Sequence, residues 1–316
     1  MWYKGNLHCH TTDSDGDCTP EEVVKRYKEQ GYSFLAITDH NVYSDYREKF
    51  GTDHFLVLPG IEVAATFVDE NKIFRATHHM NGILGSEDMQ RAAKEPLCTH
   101  GEQIGPFRYR GSWDSRQALE EMARLLKQRG MFTTYNHPVW SRVEQDSFIH
   151  NPYIDILEIY NHGTQQESET GFDTLHWDTM LRNGRRMLAD ASDDSHNMDW
   201  DCFGGYIMVE AEKLTHDNIA SSIMNGCYYS TQGPEIMEWS LSPEGVVHLI
   251  CSPCERVTVI CDGYVGAGRT SFSGDGKRPV QEIQYQLTGK ESYVRGECRD
   301  FAGRMAWTNP IYLDGR

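Results

Sequence analysis

No stretch of this 316-residue chain is apolar for long enough to cross a bilayer, and basic residues are scarce. The 30 Lys and Arg are outnumbered by 47 Asp and Glu, for a net charge of −17. A chain so acidic repels polyanions at long range, which argues against extended nucleic acid or a membrane as partner. The opening Met1-Trp2-Tyr3-Lys4-Gly5 lacks the charged-then-apolar pattern of an export signal, so a cytoplasmic location is expected. Internal repeats and low-complexity tracts are also missing. The nine cysteines are odd in number and irregularly spaced, in a chain too large to need covalent staples, so free thiols are expected. Cys251-Ser252-Pro253-Cys254 looks like half of a zinc site or a redox pair, but no second such pair and no nearby histidine pair completes it. Two buried or turn cysteines is the favoured reading.

What is present reads as an α/β protein. Hydrophobic content of 39% and charged content of 24% are ordinary for a globular domain. Asn6 to His10 reads as a strand. Thr19-Pro20-Glu21-Glu22 then opens a helix, with Thr19 as cap, Pro20 in the first turn and Glu22 closing a capping box. Gly31 stops that helix, and the apolar run Phe34-Leu35-Ala36-Ile37 follows as a strand buried on both faces. The alternation recurs: strands at Phe55–Leu58, Met131–Tyr135, Ile154–Tyr160 and Met187–Ala189, helices at Asp114–Arg129, Phe172–Asn183 and Thr215–Asn225. A mostly parallel sheet with enough units to curl into a barrel is expected over residues 1–230. From 231 to 316 helical periodicity gives way to short alternating segments, clearest at Val246–Cys251, Val257–Cys261 and Tyr293–Cys298, which read as a small antiparallel β-sandwich domain. Between Gly82 and Trp113 there is little periodicity, and a lid or loose excursion is expected.

Chemistry gathers where these strands should end. His8-Cys9-His10 places two imidazoles on one side of an extended segment, about 6.7 Å apart, with Cys9 turned to the core. Ser14-Asp15-Gly16, Thr38-Asp39-His40, Pro59-Gly60-Ile61-Glu62, His78-His79, Asn136-His137-Pro138 and Asp193-Asp194-Ser195-His196 follow in order. One such histidine means little, and His54, His100, His150, His176, His216 and His248 are given no role. The joint occurrence is different. Many buried polar groups without partners would each cost about 1–3 kcal/mol, whereas shared cations satisfy them together.

This ordered set resembles the polymerase-and-histidinol-phosphatase (PHP) family of metal-dependent phosphoesterases, over most of residues 6 to 200. The stretch Asp300–Ile311 resembles the tail of a two-domain branch of that family with a C-terminal β domain. The resemblance implies a distorted (β/α)7 barrel and two or three divalent ions, variously zinc, iron or manganese. It further implies His8, His10, Glu62 and Asp194 on a first ion, a bridging Glu62 with His79 and His137 on a second, and Asp15, His40 and His196 on a third. His78 is the alternative to His79, and Asp193 the alternative to Asp194. The expected activity is hydrolysis of a phosphate ester of a small metabolite or nucleotide by a metal-bridging hydroxide, with Glu62 and Asp194 setting the metal spacing. Arg142, Arg110 and Arg108 are candidates to grip phosphate oxygens and His162 to face the pocket. Amide, carbamate or lactone hydrolysis is the first alternative. A non-catalytic metal-binding module and a nuclease trimming strand ends are the others.

Overall fold

The computed structural model describes residues 1–313. Its strands are β1 (Trp2–Asn6), β2 (Phe34–Ile37), β3 (Leu56–Val68), β4 (Phe74–Leu84), β5 (Phe107–Arg110), β6 (Met131–Tyr135), β7 (Ile156–Asn161), β8 (Leu188–Ser192), β9 (Tyr206–Glu210) and β10 (Tyr228–Thr231). The C-terminal part adds β11 (Ile236–Leu241), β12 (Val246–Cys254), β13 (Arg256–Cys261), β14 (Gly268–Phe272), β15 (Val280–Gln286), β16 (Tyr293–Arg299), β17 (Met305–Thr308) and β18 (Ile311–Tyr312).

The expected helices form, and their ends show why. Thr19 and Glu22 make the reciprocal capping box at the head of Pro20–Glu29, whose buried face is Val23, Val24 and Tyr27. Asp114 caps Ser115–Gln128 through the Gln117 amide, and Thr215 caps His216–Met224 through Asn218. Thr174–Arg182 buries Trp177, Met180 and Leu181.

Seven strands lie side by side in the order β1-β2-β3-β4-β6-β7-β8. The ladder does not run on into a ring. Its two ends meet at one parallel bridge between Cys9 and Ser195, just beyond β1 and β8, where the His10 amide donates to the Ser195 carbonyl at 2.9 Å. This run is mostly parallel, as expected, with β4 the exception, antiparallel to both β3 and β6. The exception comes from a long hairpin: β3 runs past its expected end at Leu58 as far as Val68, and β4 returns along it from Ala76 to Ile83. The segment after Gly82 is likewise no free lid. β5 pairs in parallel with the outer half of β3, at Ala65–Val68, and anchors it.

On the other side of β1 the same sheet continues through β9 and β10 into β17, β16, β13 and β14. A second, three-stranded sheet, β11-β12-β15, packs over this extension. The two layers share an apolar core in which Val247, Leu249 and Ile283 meet Val257, Val259, Val294 and Ala306. Arg295 of β16 is buried against the Trp177 ring at 4.7 Å and donates to Asp178 and Glu297, tying the C-terminal layer to helix Thr174–Arg182. No helix among the described residues is long and apolar enough to cross a membrane.

Candidate metal centre

Strand β1 ends at Asn6, so His8 and His10 sit beyond the strand that was expected to carry them. The bridge to Ser195 keeps the segment extended, and the alternation survives: Cys9 enters the core beside Val23, Tyr27 and Leu35 while both imidazoles face the other way. Asp15 lies in a turn folded back on the histidines. Asp39 holds that turn, accepting from the Thr11 amide at 2.8 Å and from the hydroxyls of Ser14 and Ser44 at 2.9 and 2.8 Å. Gly16 is needed there, since a Cβ would stand 2.7 Å from the His10 carbonyl. His40 follows β2, His137 follows β6, and Asp194 and His196 follow β8. Glu62 and His79 are not at strand ends but inside the β3–β4 hairpin, which carries them to the same place.

All nine expected side chains converge. Glu62 Oε1 lies 3.2 Å from His8 Nε2, 3.3 Å from His79 Nδ1 and 3.5 Å from His137 Nε2. Glu62 Oε2 lies 2.8 Å from His40 Nδ1 and 3.4 Å from His10 Nε2. Asp194 Oδ1 is 3.1 Å from Nε2 of both His8 and His10. Asp15 stands 3.5 Å from His196, 3.8 Å from His10 and 3.8 Å from His40. In each of the two pairs left open, one side chain faces away from the cluster. His78 turns away, bonding the Tyr135 hydroxyl at 2.7 Å and Ser115. Asp193 also turns away, accepting from Asn6, Tyr27 and the amides of Gly204 and Gly205.

Several supporting groups escaped the sequence reading. Glu158, buried in the apolar strand β7, accepts from His8 Nδ1 at 2.9 Å, from the His137 amide at 3.0 Å, from Asn161 at 2.8 Å and from the Ser192 hydroxyl. Asn136 donates to Glu62 Oε1 at 2.7 Å, and Asn161 to Asp194 Oδ2 at 3.0 Å. A carboxylate inside an otherwise apolar strand was the available signal for Glu158, because such a group must find donors. His137 and Asp194 adopt left-handed backbone at φ 29° and 54°, a strain that non-glycine residues bear where the surroundings over-determine it.

The electrostatics are those of a site that takes up either protons or cations. Burial opposes charging of His8, but Asp194, Glu62 and Glu158 outweigh it and lift its pKa well above the imidazole range. His196 is likewise raised to about 9, burial being overcome by Asp15 and Asp194. Glu62 is held far below the carboxylate range by His79, His8 and His40 despite its burial. His79 goes the other way, lowered to about 4 because burial exceeds the pull of Glu62. Four buried atoms of the cluster, His10 Nδ1, His40 Nδ1, Glu62 Oε2 and Asp194 Oδ1, make no well-aligned hydrogen bond, although His40 Nδ1 and Glu62 Oε2 are close neighbours. Six imidazoles and three carboxylates form a donor set that suits zinc, iron or manganese. Donors on one such ion at about 2.1 Å sit about 3–3.4 Å apart, which is the spacing around Glu62 and Asp194. The residues fit divalent cations.

Two cavities open from the cluster and share Asp15, His40, His79 and Trp140. One, of about 350 Å³, is walled by Thr164, Glu167 and Trp200. The other, of about 530 Å³, is walled by Phe74, Arg75, Arg108 and Arg142. Arg142 and Arg108 therefore line the approach to the site. Arg110 and His162 line neither cavity, a correction to both expectations. Arg110 sits two residues further along β5, past the cavity, and His162 is drawn aside by its bond to the Tyr160 hydroxyl at 2.9 Å.

Comparison with known families bears on this geometry. Residues 6–87 match the family model of the PHP domain, a span that contains six of the nine converging residues, from His8 to His79. Residues 6–87 therefore carry the PHP-domain pattern. Among curated proteins it is similar to the 5'-3' exoribonuclease Rnm of Salmonella typhimurium, 26% identical over 174 residues, covering 44% of this chain and 59% of that protein. It is also similar to a 5'-3' exoribonuclease of Haemophilus influenzae, 49% identical over 41 residues, covering 13% of this chain and 15% of that one. The chain thus spans less than two thirds of either relative. Among solved structures, a two-domain Bacteroides vulgatus protein containing a predicted PHP-like metal-dependent phosphoesterase aligns at 14% identity and TM-score 0.49, over 98% of this chain and 95% of that one. A Chromobacterium violaceum amidohydrolase with bound sulfate aligns at 14% identity and TM-score 0.43, over 71% and 96% of the two chains.

Proposed function

We propose that this protein is a metal-dependent phosphoesterase acting on nucleotide-type phosphate esters, free or at the end of an RNA strand. The observation that carries the reading is the convergence of nine imidazole and carboxylate side chains, four of their buried atoms without a well-aligned hydrogen bond, beneath two cavities of which one is flanked by arginines. Two or three divalent ions of zinc, iron or manganese would be held by the three sets already described, with Glu62 common to two of them. When bound, they would supply an ionised solvent nucleophile and offset phosphoryl charge.

The rest falls to the chain itself. Glu62 and Asp194 set the spacing of the centre from opposite sides. Arg142 and Arg108 orient phosphoryl oxygens, a task suited to a planar guanidinium. Phe74 and Trp140 offer ring faces beside them on which a base can stack. The net charge of −17 had argued against extended nucleic acid, but Arg108 and Arg142 bring positive charge to the approach to the site, and both curated relatives are named exoribonucleases. We further read the seven-strand run as the distorted barrel of PHP type and residues 231–316 as its small β-sandwich domain. The Cys9–Ser195 bridge and the second sheet support this division.

The test is a metal-replete assay on nucleotide monoesters, 5'-phosphorylated oligoribonucleotides and a set of amides and lactones. Release of phosphate or mononucleotide is expected, lost on chelation and in Glu62→Gln. Inertness toward every phosphate ester overturns the proposal, and hydrolysis of a carbonyl substrate alone moves the centre to the amide, carbamate or lactone class.

A further inference from the structure

Away from the PHP centre, the chain brings together three cysteines that its sequence keeps apart. Cys251 and Cys254 lie on β12 in the small sheet, Cys251 within and Cys254 at the end of an irregularity in its pairing with β15. Cys298 lies on β16 in the large sheet. Their sulfurs fall within 4.8 Å of one another, at the interface of the two layers, and all three side chains are enclosed, with at most 1% exposure. The sequence reading set Cys251 and Cys254 aside because nothing nearby completed them. The completing residue is 44 positions further on, delivered by the fold.

Plain packing accounts poorly for this arrangement. Cysteine is a small, readily buried side chain, and Cys9, Cys98 and Cys261 are buried without joining such a group. Three sulfurs aimed at one point from two sheets is a different pattern, because apolar packing asks only for volume and not for convergence. The thiols also contend for protons: hydrogen bonds from Cys251 and Cys298 draw the Cys254 pKa down.

We infer that Cys251, Cys254 and Cys298 form a second metal site, an all-thiolate site for a soft d10 divalent cation of the zinc class, which clips the two sheets together. Sulfurs at about 2.3 Å from one ion stand about 3.8–4.0 Å apart, so the cluster needs little contraction to close. A divalent ion with three thiolates leaves one net negative charge in the core, where a monovalent ion would leave two, and buried charge is costly. No fourth His, Cys, Asp or Glu joins the group among the described residues, so the last position belongs to a main-chain carbonyl or a water. The site is independent of the phosphoesterase reading, because it shares no residue with the N-terminal centre.

The experiment is a Cd²⁺ titration of the full-length, reduced protein, followed by ultraviolet sulfur-to-cadmium charge transfer. Imidazole and carboxylate ligands give no such band. One equivalent per chain is expected to produce it. Glu62→Gln is expected to keep it, and Cys298→Ser and Cys254→Ser to lose it while near-ultraviolet circular dichroism shows an intact fold. Zn²⁺ added to the metal-free reduced protein is expected to raise the melting temperature of Glu62→Gln but not of the double variant Glu62→Gln/Cys298→Ser. Absence of the band in the reduced protein overturns the inference. So does a band that survives in both cysteine variants.

Discussion

Nδ1 of His8 donates to Oε1 of Glu158 at 2.9 Å, and both side chains are fully enclosed. The bond fixes the imidazole's orientation and leaves the Nε2 lone pair for the centre. Carboxylate–imidazole pairs of this kind raise ligand basicity, and their loss typically costs 10–100-fold in metal affinity. Glu158→Gln, which keeps shape but removes charge, is expected to weaken metal binding by about that factor. Competition with a chromophoric chelator reads the change, and unaltered affinity would show that His8 needs no such support.

Asp193 and Asp194 are adjacent but do different work, and a pair of variants separates them. Asp194→Asn is expected to lower the metal content per chain and abolish phosphate release. Asp193→Asn is expected to leave metal content intact and to destabilise the fold by about 1–3 kcal/mol, since its amide would meet the donors of Asn6, Tyr27, Gly204 and Gly205. Elemental analysis and denaturant titration give the two readouts. The reverse pattern would mean the two roles are exchanged.

Removing metal should destabilise the protein as well as silence it. The cluster crowds three carboxylates among imidazoles, and four of its buried polar atoms lack a well-aligned hydrogen bond. Ligand at 100-fold excess over its dissociation constant adds about 2.7 kcal/mol to stability per site. Chelation is therefore expected to lower the melting temperature, with recovery on adding Mn²⁺ or Zn²⁺. Calorimetry in both states checks this, and identical curves would contradict it.

Arg108 and Arg142 are expected to act on substrate and not on metal. The double variant Arg108→Ala/Arg142→Ala should raise KM for a 5'-phosphorylated oligoribonucleotide more than tenfold at unchanged metal content. It should also flatten the salt dependence of binding by a slope of about 1–2, one unit per lost phosphate contact. An unchanged slope would place the nucleic acid elsewhere.

Arg295 ties the C-terminal layer to the helix beneath it. Arg295→Ala removes the partner of Asp178 and Glu297 and the contact with Trp177, at an expected cost of about 3 kcal/mol. Urea unfolding measures that loss, while turnover at low temperature should match the parent. Normal stability would show that the two layers hold together without this pair.

Much of this was legible in advance, and the misses share a cause. Thr19, Glu22 and Gly31 announce one helix because capping is a local matter, settled within four residues. Phe34–Ile37 was equally plain, four apolar residues in a row that become a strand buried on both sides. The β3–β4 hairpin was not, because His78 and His79 must face opposite ways and both find polar partners, which spoils the apolar alternation a strand usually shows. Arg295 reads as a surface residue until Trp177 and Asp178, more than a hundred positions away, are placed against it.

The sequence alone determined the list of candidate ligand types, their order and the local elements that carry them, since these depend on side-chain chemistry and short-range backbone preference. Tertiary structure decided which of two neighbouring residues faces the centre, that Glu158 stands behind His8, and that Cys298 meets Cys251 and Cys254. Those choices rest on strand pairing and layer packing between distant segments, where one residue of register turns every side chain to the opposite face.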